Sequence, residues 1–152
     1  MNVNKLLTLF ILLPFIIFSQ KKDAYFIINK DSNEYLLKTQ GGQIDEFNYK
    51  MIKLFIFYNR IEYEKFNKKN DVLYSWGNKI PKTSFFDVKK IEKKLLEHCE
   101  IHQLEIIDYN WLIKNSWKEN NPNILFNNLY FLIKTRENKF IKLKVNRTII
   151  EY

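Results

Sequence analysis

The sequence predicts a single α+β domain, in which an antiparallel sheet built from N- and C-terminal β-hairpins plus central strands carries two helices on one face. Three observations predict this class. Apolar side chains alternate every second residue near both ends of the chain, as they do in strands. In the middle of the chain the apolar period lengthens to about three and a half residues, as in helices. Strand-like and helix-like segments do not alternate as they would in a parallel sheet.

The first half of the chain predicts five strands. Residues 24–28 and 35–39 are apolar segments around a polar turn, which is typical of a hairpin. Residues 50–59 alternate with apolar side chains on both faces, which indicates a central strand. Residues 61–66 are expected to return antiparallel to it, with Glu62 and Glu64 outward. Residues 72–76 form a further predicted strand.

The C-terminal hairpin is predicted in more detail. Residues 129–135 and 140–145 flank a tight turn near Glu137 and Asn138. Every second side chain is apolar, so the expected facing sets are Leu129, Phe131 and Ile133 on one strand and Ile141, Leu143 and Val145 on the other. In this register Lys134, Lys142 and Lys144 remain in contact with water.

Two helices are predicted between these strands. The first follows Pro81, because four apolar side chains form a stripe at helical spacing: Val88, Ile91, Leu95 and Cys99. Either Ser84 or Asp87 can cap its first turn. Whether it extends past Cys99 stays open, since residues 100–107 suit a continued helix as well as a loop and short strand. The second helix runs from Asp108, as N-cap, to about Trp117.

An internal repeat with an offset of 105 residues links the two hairpins. Tyr25, Phe26, Ile28 and Asn33 recur as Tyr130, Phe131, Ile133 and Asn138. A duplicated hairpin would imply a pseudo-symmetric sheet. Chance matches are the alternative, because the chain is rich in Tyr, Phe and Ile.

Residues 1–19 have the pattern of a secretory signal peptide. Lys5 supplies the positive start, residues 6–18 form an apolar run, and Ser19 is the small residue before the expected cleavage. As a helix the run would rise only about 20 Å, against a hydrocarbon core of about 30 Å. We therefore expect export to the periplasm, outer envelope or extracellular space, with no transmembrane span in the mature domain at residues 20–152. A retained N-terminal anchor is the less favoured alternative.

The leader ending in Phe18-Ser19-Gln20 and the overall composition resemble those of small exported proteins of low-GC bacteria, particularly Bacteroidetes-like envelopes. This resemblance covers no functional motif, so it assigns no site residue, cofactor or oligomeric state.

The net charge of +8 invites an interpretation as a nucleic-acid-binding protein, but the residue types disfavour it. The chain has 22 lysines and only three arginines, and arginine is the residue that reads phosphates and bases in bidentate fashion. The lysines are spread along the chain. A weak attraction to anionic polymers or lipids fits this pattern better.

His98 and His102 form the one candidate metal-binding motif. Histidines four residues apart on a helix can share a metal ion, and Glu105 could join them if the helix continued. The zinc-protease motif needs a glutamate directly after the first histidine, where this chain has Cys99. A catalytic metal site is therefore not predicted, and no cofactor is expected. Two histidines near a helix end are the alternative interpretation.

Cys99 is the only cysteine, so an intramolecular disulfide is excluded. Its position beside Leu95 and Leu96 predicts a small buried residue rather than a reactive thiol. No nucleophile elbow or glycine-rich phosphate loop occurs in the sequence. Enzymatic activity is accordingly the less favoured class.

The aromatic residues suggest a binding surface, because tryptophan and tyrosine are enriched at interfaces. Trp111 and Trp117 lie six residues apart, so both cannot share one buried helical stripe; Trp76 is the third candidate. The leading hypothesis is an exported, non-enzymatic protein that binds an envelope or secreted partner, either a protein or a polysaccharide. A small secreted hydrolase or metal-binding protein using His98 and His102 is one alternative. An inhibitor or immunity-like partner of a secreted enzyme is the other.

Overall fold

A computed structural model describes residues 22–45, 47–70, 83–116 and 126–148, which form a mixed six-stranded sheet with three helices. The strands are β1 (Lys22–Ile27), β2 (Tyr35–Gln40), β3 (Leu54–Asn59), β4 (Thr83–Ile91), β5 (Phe126–Lys134) and β6 (Phe140–Thr148). The helices are α1 (Arg60–Asn70), α2 (His98–Ile101) and α3 (Tyr109–Ser116). The predicted α+β class is confirmed.

The strand order is β1-β5-β6-β4-β3-β2, with β1 and β5 parallel and every other neighbouring pair antiparallel. The sheet is curved, because rings from its two edge strands meet: the centroids of Phe26 on β1 and Tyr35 on β2 are 5.9 Å apart. None of the helices in the described ranges has the length and hydropathy to span a bilayer.

A cluster of aromatic side chains fills the concave inner face of the sheet. Phe131 on β5 is its centre and is fully buried. Its ring centroid lies between 5.1 and 5.6 Å from those of four other phenylalanines: Phe26, Phe55, Phe57 and Phe86. Most of these pairs are tilted or edge-to-face, which is the arrangement that the ring quadrupole favours. Four strands therefore meet at one side chain.

Several local predictions agree with the structure. β5 and β6 pair in the predicted register, with Leu129 opposite Val145 and Phe131 opposite Leu143. The tight turn between them contains Asn138 at a positive φ of 60°, a conformation that asparagine tolerates. The Asp108 side chain accepts a hydrogen bond from the Trp111 amide at 2.7 Å and so caps the start of α3. Strand β3 is apolar on both faces, as predicted.

The predicted N-terminal hairpin is wrong, and so is a purely antiparallel sheet. β1 pairs in parallel with β5, whereas β2 pairs with β3 at the opposite edge. The 105-residue repeat is the register of this parallel pair: Tyr25 lies opposite Tyr130 and Phe26 opposite Phe131. The repeat thus reflects two strands that present like side chains to each other. Because both strands alternate in the same way, parallel pairing in this register places similar side chains next to each other on both faces of the sheet.

The helix predicted from the stripe at Val88 and Ile91 is wrong, because this segment is strand β4. The register of β4 against β6 shifts between Val88 and Lys90, as it does at a β-bulge. The extra residue turns both Val88 and Ile91 toward the inner core although they are three apart. A bulged strand therefore imitates helical spacing. The helix that does form, α2, is short and begins at His98.

The strand predicted at residues 61–66 is helix α1. Asn59 accepts a hydrogen bond from the Glu62 amide at 3.1 Å, which satisfies one free donor of the first turn. Arg60 and Glu64 then form an ion pair one helical turn apart, at 3.7 Å. The alternation of Ile61 and Tyr63 with glutamates was the misleading signal. The strand predicted at residues 72–76 lies outside the described residues.

The prediction that the helices lie on one face of the sheet is wrong. α3 inserts the fully buried Leu112 into the inner core, whereas α2 packs Ile101 on the outer face against Leu132 and Phe140. Cys99 is exposed, so its predicted burial is also wrong. In a helix as short as α2 one residue faces the sheet, and here it is Ile101 rather than Cys99.

We predict that Phe131→Ala lowers the free energy of unfolding by about 3–5 kcal/mol, because it leaves a cavity at the meeting point of four strands. Urea unfolding followed by tryptophan fluorescence measures this. Phe47→Ala is the matched control, since Phe47 is 72% exposed and its loss should change stability by no more than about 0.5 kcal/mol. Equal effects of the two changes would contradict this account of the core.

Candidate functional site

Of the three tryptophans predicted to belong to a binding surface, the structure describes Trp111. Its side chain is half-buried on α3, packs against the inner core, and has its ring centroid 5.7 Å from that of Phe126 on β5. At least part of the indole therefore covers the core rather than facing a ligand. Trp76 and Trp117 lie outside the described residues.

The structure brings the two histidines together. His98 begins α2 and His102 follows its last residue; both are exposed, and their ring centroids are 5.6 Å apart. α2 ends before Glu105, so this glutamate is not carried on the same helix. Within the described ranges no group of three or more His, Cys, Asp and Glu residues is placed to hold a metal ion.

A row of aromatic and basic side chains crosses the outer face of the sheet. The rings of Tyr25 and Tyr130 stack at 5.2 Å, and the Lys142 ammonium lies 4.4 Å from the Tyr130 centroid. Burial, followed by the negative charge of Asp23, raises the pKa of both phenols. The rings contact each other and Lys142, and Tyr130 is buried. This row therefore offers little ring surface to a partner.

Phe47, the most exposed large apolar side chain of the described residues, belongs to a loop that the sequence analysis did not single out. The Phe47 loop, residues 41–53, joins β2 to β3, and its residue 46 lies outside the described residues. Phe47 is 72% and Met51 61% exposed.

Beside the Phe47 loop lies an open cleft of about 490 Å³. The loop forms one wall and the β5–β6 turn the other. Seven residues line it: Phe47, Tyr49, Leu95, Thr135, Arg136, Glu137 and Ile141. Apolar side chains are thus combined with a few polar ones, as in surfaces that accept a side chain from a partner or a small ligand.

Hydrogen bonds to Asp45 hold the backbone under Phe47. One carboxylate oxygen accepts from the amides of Phe47 and Asn48, at 2.8 and 2.7 Å. The other accepts from the side-chain amide of Asn48 at 3.1 Å. The amide of Tyr49 donates to the Asp45 carbonyl at 3.2 Å, directly before the 3-10 turn at Tyr49–Met51. The Phe47 ring is therefore exposed, while the amides of Phe47 and Asn48 are held by hydrogen bonds.

The start of the loop depends on Gly41. Its φ of +90° lies in the region that glycine enters readily and other residues rarely adopt. A Cβ atom at this position would also overlap the carbonyl oxygen of Met51. The Thr39 hydroxyl donates to the Gly42 carbonyl at 2.5 Å and ties the turn to β2. The loop thus folds back on itself at its base.

Two cations lie against the aromatic rings of the loop. The Arg136 guanidinium carbon is 5.9 Å from the Phe47 centroid, and the Lys50 ammonium is 5.9 Å from that of Tyr49. Such contacts are cation–π interactions, which are modest at exposed sites. They add positive charge beside the exposed apolar surface.

A signal for this site was present in the sequence. Asp45 and Asn48 lie three residues apart after Gly41-Gly42, which is the composition of an Asx-type turn. Taken alone, the two glycines indicate only a break between predicted strands. The exposure of Phe47 had no local signal, because it depends on which neighbours leave the ring uncovered.

Compared with protein-family models, with curated proteins and with solved structures, the chain has no match.

We predict that the Phe47 loop loosens only in strong acid. Hydrogen bonds, first from the Asn48 amide, hold the pKa of the Asp45 carboxyl below its usual value of 3.8. Because the pKa is lower in the folded state, these bonds contribute fully to stability above the usual, unfolded-state pKa of 3.8. This contribution is lost as the pH falls through the lower folded-state pKa. The amide NMR shifts of Phe47 and Asn48 should titrate with a midpoint below 3.8. In Asp45→Asn they should not titrate, and a native midpoint at or above 3.8 would refute the proposed bonding.

We also predict that Gly41→Ala destabilises the protein by about 1–3 kcal/mol, because both the backbone angle and the space at this position exclude a side chain. Chemical denaturation measures the change, and limited proteolysis reports whether the loop opens. Gln43→Ala is the control, since Gln43 is exposed in the same loop. Native-like stability of Gly41→Ala would show that the turn can rearrange at little cost.

Proposed function

We propose that this chain is an exported, non-enzymatic binding protein whose partner docks on the Phe47 loop and the adjacent cleft. The partner is a protein segment that is acidic overall and inserts one apolar side chain. The observation that carries the proposal is the exposure of Phe47 on an ordered loop beside a cleft of about 490 Å³.

The order of the loop supports binding. Exposing a phenylalanine to water is unfavourable, and a partner that covers it gains about 25 cal/mol for each Å² of apolar surface removed. The bonds at Asp45 and the turn at Gly41 hold the backbone before any partner arrives. Binding then requires less ordering of the loop, which is how rigid aromatic anchors become the strongest contacts of an interface.

The chemistry of the cleft supports a protein partner rather than a polysaccharide. Leu95 and Ile141 form an apolar floor next to Tyr49. An aliphatic or aromatic side chain can fill such a space, whereas a sugar would leave its hydroxyls without partners there. Apart from the Tyr49 hydroxyl, the polar side chains of the lining are Thr135, Arg136 and Glu137 at the β5–β6 turn.

The charge of the chain supports an acidic partner. The whole sequence carries +8 at neutral pH, and Arg136 and Lys50 lie beside the exposed rings. Complementary charge raises association rates and disfavours basic competitors. Export is supported by the signal-peptide pattern of residues 1–19, and the non-enzymatic class by the lack of a nucleophile elbow or phosphate loop in the sequence.

We predict that Phe47→Ala weakens partner binding about thirtyfold, as expected for a central aromatic contact worth about 2 kcal/mol. The full chain, tagged at its C-terminus and expressed in its source cells, is purified from envelope and culture fractions, and co-purifying proteins are quantified by mass spectrometry. The native partner, once identified, is titrated against each variant. Mass analysis of the bait also reports whether cleavage occurred after Ser19.

Ile61→Ala is the matched control, because Ile61 is 61% exposed but lies on α1. It should bind like the native chain. A photo-reactive side chain at position 47 should cross-link the partner, and one at position 61 should not. Equal binding by Phe47→Ala and the native chain, or cross-linking from position 61 alone, would overturn the proposed docking site.

A further inference from the structure

The two exposed histidines lie at the ends of one helical turn that is fixed to the outer face of the sheet. Their ring centroids are 5.6 Å apart and the ring planes are inclined by 75°. This separation is compatible with two imidazoles that share one ion, in which each metal–nitrogen bond measures about 2.0–2.1 Å. The chain has no other histidine.

The turn that carries the histidines is closed by reciprocal hydrogen bonds between Glu97 and Glu100. The Glu100 amide donates to the Glu97 carbonyl at 3.0 Å, and the Glu100 carboxylate accepts from the Glu97 amide at 2.7 Å. Lys94 holds the other oxygen of Glu100 at 3.1 Å, and Lys139 contacts Glu97 at 3.5 Å.

The same turn is attached to the sheet both before and within α2. Before the helix, Leu96 and Phe140 exchange two backbone hydrogen bonds, at 2.9 and 2.8 Å. Within the helix, the buried Ile101 packs against Leu132 and Phe140. The His98 ring lies 6.2 Å from the Phe140 ring. The backbone that sets the distance between the imidazoles is therefore fixed before any ion binds.

We propose that His98 and His102 form a bidentate surface site for a late first-row divalent cation, with water completing the coordination shell. Neutral imidazole suits copper and zinc, and the general affinity order places copper(II) above nickel(II) and zinc(II). A rigid pair of ligands costs less ordering on binding than two independent side chains. Water completes the shell because the described residues offer no third His, Cys, Asp or Glu in position.

The proposal is independent of the docking site on the Phe47 loop. The histidines lie on α2 at the outer face, whereas the cleft is lined by residues of the loop, Leu95, Ile141 and the β5–β6 turn. Loss of either site should leave the other intact, so the two proposals can fail separately.

We predict that the full chain binds one zinc(II) ion in a calorimetric titration with zinc chloride in a non-coordinating buffer. His98→Ala and His102→Ala should each lose about tenfold or more in affinity, since each leaves a single imidazole. The doubly substituted chain, which contains no histidine, should show no saturable binding. Both side chains are exposed, so the variants should keep native circular dichroism and unfolding behaviour.

A spectroscopic readout identifies the ligands directly. In a Cys99→Ser background, which removes the exposed thiol beside the site, copper(II) should bind more tightly than zinc(II). Its electron paramagnetic resonance spectrum should show coupling to two imidazole nitrogens, and each single histidine variant should show one. Zinc affinity that is unchanged in the histidine-free chain, or in both single variants, would overturn the proposal. A copper spectrum without two-nitrogen coupling would overturn it equally.

Discussion

The packing of four phenylalanine rings around Phe131 is the interaction on which the rest of the structure depends. These rings come from β1, β3 and β4, while Phe131 itself lies on β5. They therefore join β5 to its neighbour β1 and also to β3 and β4, which are not its neighbours in the sheet. Contact between such strands requires the sheet to curve, and the curvature brings Phe26 and Tyr35 from the two edges to 5.9 Å. Because aromatic rings bury much area and pack in tilted pairs, one cluster sets both the curvature and the core.

The Phe47 loop is positioned by this core although its tip is exposed. Ile52 at its end is buried, and Ile44 and Tyr49 pack against the inner cluster. The loop thus has an apolar base held by the sheet and a tip held by the carboxylate of Asp45. An ordered base with an exposed aromatic tip is the combination that allows a small protein to present a contact without unfolding part of itself.

The outer face of the sheet is organised differently, by short connections. The segment at residues 105–107 lies along β1, with the Tyr25 amide donating to Glu105 at 3.0 Å and the Ile107 amide to Tyr25 at 2.9 Å. It satisfies backbone groups of an edge strand that could otherwise pair with another chain. The preceding turn, α2, is held by Leu96, Ile101 and Phe140, and this attachment fixes the turn that carries His98 and His102.

Local chemistry determined several elements. The β5–β6 register follows from alternation around a tight turn, because a slip of one residue would turn Leu143 and its neighbours toward water. The start of α3 follows from Asp108, whose carboxylate satisfies a free amide. The proximity of His98 and His102 follows from their spacing on a helical turn. In each case the interacting groups are close in sequence, so the pattern contains the information.

Tertiary structure decided the rest, because pairing and burial depend on distant residues. β1 pairs with β5 rather than with β2, and in this pairing similar side chains 105 residues apart lie opposite each other on both faces of the sheet. The bulge in β4 turns both Val88 and Ile91 toward the inner face of the sheet. Their spacing of three residues therefore resembled that of an apolar helical stripe. Cys99 and Phe47 are exposed because the side chains that cover the sheet are Ile101 and Tyr49 instead. By itself, the sequence determined the α+β class and the elements held by near neighbours; the order of the strands and the surface left open came from contacts between residues far apart in the chain.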